Sequence, residues 1–230
     1  MLATGLILRA QTEPSTHKGQ KKWSRILVVP TTLIAGGLYT INEKRFINRF
    51  SVRAERNEEM PLFNTHIDDY LQYAPAIAVY ALNAFGNKGK SDWKNRTLLL
   101  IKSELLMTAV VFPLKKLSRQ IRPDSSNYRS FPSGHTAQAF VAATFLHKEF
   151  GHKSIWYSVG GYTVATAIGT LRVLNNKHWL SDVLVGAGIG ILSTNLVYHS
   201  HRYRWGKKPA LTIVPTYARG GPGLYLSYKF

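Results

Sequence analysis

Six stretches of this chain carry no charged residue and are mostly apolar. They are Ile26–Asn42, Tyr70–Asn87, Leu105–Leu114, Thr136–Leu146, Ser154–Leu171 and Val183–Ser200. Runs of this kind read as helices, and each is near or below the length of a membrane span. Pro30, Gly36-Gly37, Pro75 and Gly160-Gly161 fall inside several of them, and Lys102 and Glu104 interrupt the apolar sequence that leads into Leu105–Leu114. The mean hydropathy of −0.12 is low for a chain with six spans. The expectation is an all-α fold built on a six-helix bundle. Two versions stay open: a membrane bundle with polar ends, or a globular bundle resting against a membrane.

At 230 residues the chain is long enough for one domain with a real core. Asn42–Glu59 differs from the apolar runs, because Phe46, Ile47 and Phe50 lie at helical spacing among many charges. It reads as an amphipathic surface helix, either solvated or lipid-facing. Asn64–Asp69 is expected to cap the next helix. Asn87–Asn95 is expected to form a polar loop in which Ser91 caps the helix running through Leu114. At the C-terminus, Leu211–Tyr217 and Leu224–Phe230 alternate apolar and polar around Arg219-Gly220-Gly221-Pro222, a β-hairpin signal. Met1–Ala10 reads as the apolar end of a secretory leader, followed by a mobile basic segment. The division expected is a leader remnant and flexible segment over 1–25, a helical domain over 26–205 and a hairpin over 206–230.

Lys and Arg number 30 against 12 Asp and Glu, a formal net charge of +18. Such a surface either aids solubility or meets anionic partners: phosphorylated substrates, lipid headgroups or nucleic acid. The chain has no cysteine. That excludes disulfides, thiolate metal sites and cysteine nucleophiles.

Three short blocks carry the chemistry. In the first, Lys115 and Arg122 stand seven residues apart, which predicts two turns of one helix face ended by Pro123. Two such cations suit the oxygens of one phosphate, or are an ordinary exposed pair. In the second, Pro132-Ser133-Gly134-His135 precedes an apolar run, so Ser133 is placed as an N-cap. The first N–H groups of that helix would face outward as an anion site, or the block is a plain cap with a surface histidine. In the third, Arg172 is followed by His178 and Asp182, an i, i+4 step that predicts both on one helix face. A carboxylate there orients the imidazole and leaves its other nitrogen free to attack. In isolation most such pairs are structural. His17, His66, His147, His152, His199 and His201 show no metal-ligand spacing and are read as non-catalytic.

In order and internal spacing, the blocks resemble the type 2 phosphatidic acid phosphatase (PAP2) superfamily, whose fold is shared with vanadate-dependent haloperoxidases. Ten of the eleven specified positions of that pattern are met, the exception being Leu171 where the pattern has serine. The resemblance implies that His178 is the nucleophile on phosphorus, that Asp182 orients it, and that His135 is the general acid and then base. It implies that Lys115, Arg122, Arg172, Ser133 and Gly134 hold the phosphoryl oxygens, with no metal and no cofactor. The expected function is a metal-independent phosphatase acting on a membrane lipid through a phosphohistidine. The lipid class is lipid A, undecaprenyl pyrophosphate or phosphatidylglycerol phosphate, as in Gram-negative envelope enzymes. The stretches His66–Pro75 and Asn175–Asp182 resemble Bacteroidetes members. The expected setting is a bacterial envelope membrane with the site facing the periplasm. Nucleic acid is disfavoured, because no extended basic, aromatic-interleaved surface is present. The alternatives are a vanadate-dependent haloperoxidase and a non-catalytic basic membrane-associated protein.

Overall fold

A computed structural model describes residues 16–202, 210–218 and 221–229. The expected leader, Met1–Ala10, lies outside the described residues. Eight helices occur among those described, against the six expected. They are α1 (Thr16–Tyr39), α2 (Arg49–Glu59), α3 (Ile67–Leu71), α4 (Ala74–Ala84), α5 (Trp93–Ser118), α6 (Gly134–Phe150), α7 (Ile155–Leu174) and α8 (Leu180–Ser200). Residues Ala210–Ala218 (β1) and Gly221–Lys229 (β2) pair antiparallel, with Val214 opposite Tyr225.

The helix count differs from expectation for local reasons. Helix α1 begins at Thr16, inside the segment expected to be a flexible linker. The Tyr70–Asn87 run is two helices, because Pro75 occupies the first turn of α4 and makes a helix start there. The amphipathic helix α2 begins only at Arg49, so Phe46 and Ile47 precede it. Asn48 sets that start by accepting from the Phe50 and Ser51 amides at 3.0 and 2.9 Å. Helix α5 is capped by Asp92, which accepts from the Asn95 amide at 3.3 Å, and not by Ser91. Ser91 is held instead by the buried Glu149, to which its amide and hydroxyl donate at 2.9 and 2.8 Å.

Helix α8 is the axis of the bundle and packs on α1, α5, α6 and α7, while α4 packs on α6. Its first half is rich in small residues, which lets backbones approach closely. A Cβ at Gly186 would lie 2.5 Å from the Ser133 carbonyl oxygen, and one at Gly190 would lie 2.4 Å from that of Ala137. The start of α6 is thus seated directly on α8. Val79, Phe145 and Phe150 fill the core at the far end, and Met107, Val111, Val141, Val185 and Ile189 fill it nearer the start of α6. Helices α5 and α8 are long and apolar enough to cross a membrane.

Candidate active site

Helices α6 and α8 begin, and α5 and α7 end, at the same end of the bundle. That arrangement brings the three blocks together. The Ser133 amide donates to the Asp182 carbonyl oxygen at 2.9 Å, joining the second block to the third. Lys115 joins the first to the second. Its Cε is 3.7 Å from the point where a Cβ on Gly134 would stand, and its Nζ donates to the Arg129 carbonyl at 3.0 Å. The Asp124 amide donates to the Asn176 carbonyl at 3.1 Å, tying the loop after α5 to the loop before α8.

Two local expectations are corrected. Lys115 and Arg122 do not share a helix face. Helix α5 stops at Ser118 because Arg119 adopts a left-handed conformation, φ 43°, and Arg122 lies in the loop beyond. Nor does His178 share a helix with Asp182. Asp182 is the third residue of α8 and accepts from the Trp179 amide at 3.1 Å. A carboxylate at that position starts the helix at Leu180 and leaves His178 just outside it. The two side chains still meet, with His178 Nδ1 3.5 Å from Asp182 Oδ2. That is ion-pair distance and longer than a formed hydrogen bond. The Asp182 carboxylate also accepts from the Ser181 hydroxyl at 3.2 Å and closely from that of Ser130.

Ser133 caps α6 as expected, accepting from the Thr136 amide at 3.4 Å. His178 is buried, at 2% exposure. Burial lowers its pKa to about 4, with Lys115 and Arg172 acting in the same direction and Asp182 opposing them. Burial, and then the charge of Arg172, also lowers the pKa of Arg122. The Nε groups of Arg122 and Arg172 are buried and have no hydrogen-bond partner in the protein. Such donors are costly unless an acceptor meets them.

Two acidic residues on α3 enter the site without having been singled out. Arg172 Nη1 donates to Asp68 Oδ2 at 2.5 Å and lies 3.7 Å from Asp69 Oδ1. Asp68 also accepts from Asn175 at 3.1 Å, and Asp69 Oδ1 is 2.9 Å from His135 Nε2. The sequence suggested helix capping for Asn64–Asp69. The available signal was two adjacent carboxylates in an otherwise basic chain. On the opposite flank, the guanidinium groups of Arg49 and Arg53 on α2 stack over the Trp179 ring at 5.1 and 5.4 Å. With Pro123 and Val173 they enclose a small crevice that His178 also lines. A cavity of about 930 Å³ along α7 contains none of the three blocks. No three His, Asp or Glu side chains gather as a metal site among the described residues.

Comparison with known proteins follows the same blocks. The model of the PAP2 superfamily matches residues 96–206, which contain all three. A lipid A 1-phosphatase from Porphyromonas gingivalis is 41% identical over 167 residues, 72% of this chain, and the chain spans only 36% of that relative. A phosphatidylglycerophosphatase B from Bacillus subtilis is 30% identical over 148 residues, 58% of this chain and 70% of the relative. The crystal structure of a transmembrane PAP2 type phosphatidylglycerolphosphate phosphatase from Bacillus subtilis superposes with a TM-score of 0.55 at 21% identity. That superposition covers 76% of this chain and 99% of the other, and shows a common fold. The family match across the three blocks, together with 30% identity over most of the Bacillus relative, shows that the chain belongs to the PAP2 superfamily.

Proposed function

We propose that the protein removes a phosphate from a membrane lipid through a phosphohistidine on His178, without a metal. The observation that carries the reading is the meeting of two imidazoles, His178 and His135, with Lys115, Arg122 and Arg172 at one end of the bundle. His178, neutral above about pH 5 by its lowered pKa, attacks phosphorus through Nε2 while Nδ1 faces Asp182. The P–N bond forms as the P–O bond to the lipid breaks. The departing oxygen keeps that electron pair and takes a proton from His135. His135 then removes a proton from water, whose oxygen attacks phosphorus and frees phosphate and His178. The three cations, the Ser133 hydroxyl and the Gly134 amide meet the charge that grows on the phosphoryl oxygens. The unpartnered Nε groups of Arg122 and Arg172 support that role.

The lipid phosphatase activities for which these relatives are named support a lipid substrate, and the 41% identity ranks lipid A first. Purified protein in detergent, given lipid A, phosphatidylglycerol phosphate and undecaprenyl pyrophosphate in turn, is expected to release phosphate from lipid A. Excess EDTA should leave the rate unchanged, and orthovanadate should compete with substrate. No release from any of the three would sink the lipid reading, and loss of the rate in EDTA would sink the metal-free one.

We propose that the cradle faces the periplasm, a reading that the leader-like composition of Met1–Ala10 supports. Because the chain has no cysteine, one introduced at Arg129 is a clean reporter. In intact cells it should react with a membrane-impermeant maleimide. Labelling only after lysis would put the site on the other face.

A further inference from the structure

Helix α3 presents two successive carboxylates to the site, and they have different partners. Asp68 is buried against Arg172 and Asn175. Asp69 is half-exposed and lies against His135, its Oδ1 2.9 Å from Nε2. A carboxylate only accepts, so this contact requires a hydrogen on Nε2. Nδ1 is then the nitrogen left for the substrate.

On the phosphatase reading above, we propose that Asp69 is a positioning residue that fixes the ring of His135 and holds it in the form that gives a proton to the leaving oxygen. Each imidazole then has its own carboxylate, Asp182 for the nucleophile and Asp69 for the acid. The proton leaves Nδ1 for the oxygen that takes the electron pair of the breaking P–O bond. Asp69 retains the Nε2 contact throughout and keeps no proton.

The surroundings of His135 show why a partner is needed. Its own burial and Arg172 on α7 both favour the neutral ring, which cannot act as an acid. Asp69, followed by Asp68 on the same helix, opposes them. His66 Nδ1, 3.4 Å from the other Asp69 oxygen, is the remaining titratable group in contact with the pair. Both side chains are partly exposed, 32% for His135 and 42% for Asp69, so solvent moderates the effect. The loss of one adjacent charge is expected to move the titration by about one pH unit.

The test is Asp69→Asn, which keeps the shape and an acceptor but removes the charge. The alkaline limb of kcat/KM should move down by about one unit. Hydrolysis of hexyl phosphate, whose leaving oxygen needs the proton, should fall at least tenfold more than hydrolysis of p-nitrophenyl phosphate, whose oxygen does not. An equal loss on both substrates with an unmoved limb would show a merely structural contact and overturn the proposal. If the wild type releases phosphate from neither these probes nor the three lipids above, the phosphatase reading has failed. ¹⁵N NMR of labelled histidine in detergent then tests the contact by itself. It should find hydrogen on Nε2 in the wild type and a lower His135 titration in the variant. Hydrogen on Nδ1 alone in the wild type would overturn the assignment without need of the variant.

Discussion

His178→Ala is expected to stop phosphate release from every substrate, with a loss on the order of 10⁴-fold or more. The reason is the absence of a substitute. The chain has no cysteine, and His135 already faces Asp69. Removing a nucleophile also removes the intermediate, so the remaining groups would have to bring water directly onto phosphorus. The anion-binding groups are separate residues, Lys115, Arg122 and Arg172, so the variant should still bind orthovanadate. Retained binding with lost turnover is the result that isolates the chemical step. A variant with wild-type rates would remove His178 from the mechanism.

Asp68→Ala should be the most damaging single change to both stability and activity outside the nucleophile. Asp68 and Arg172 form an ion pair whose side chains are 1% and 7% exposed. Breaking such a pair from one side leaves a buried charge with only the more distant Asp69, 3.7 Å away, to meet it, at a cost of about 3–5 kcal/mol. Asn175, which donates to the same carboxylate, loses an acceptor as well. For a domain of this size the melting temperature should fall by roughly 10 °C. Arg172, no longer tethered, should serve the phosphate poorly, so kcat/KM should fall in the fraction that remains folded. Asp68→Asn keeps an acceptor for Asn175 and should fall between the two. An unchanged melting temperature in the alanine variant would show that the pair contributes nothing.

What could be read in the sequence, and what could not, divides along a physical line. The blocks at Lys115–Arg122, Pro132–His135 and Arg172–Asp182 were legible because their residue types and spacings are local. Ser133 as a cap is a local matter too, and it stands where it was placed. The helix-face geometry assumed within the first and third blocks failed, for one reason in each. The left-handed turn at Arg119 and the Asp182–Trp179 cap end or start a helix between the two residues in question. Asp68 and Asp69 escaped notice because their partners, Arg172 and His135, are 104 and 66 residues away. No pattern along the chain records that meeting. Ser130, which donates to Asp182, was missed for the same reason.

The contact of Gly186 and Gly190 with the carbonyls of Ser133 and Ala137 has a consequence for how such a protein diversifies. At these two positions the helix that begins beside the nucleophile places no side chain against the main chain of the helix that carries the acid. Their separation is therefore a main-chain dimension, unaffected by rotamers and hard to alter by substitution at the rim. The chemistry is held at one fixed gauge. Helix α2, which carries none of the groups assigned to the chemistry, is the part free to be rebuilt around it, so a new headgroup can be accommodated without resetting the distance across which phosphorus is transferred.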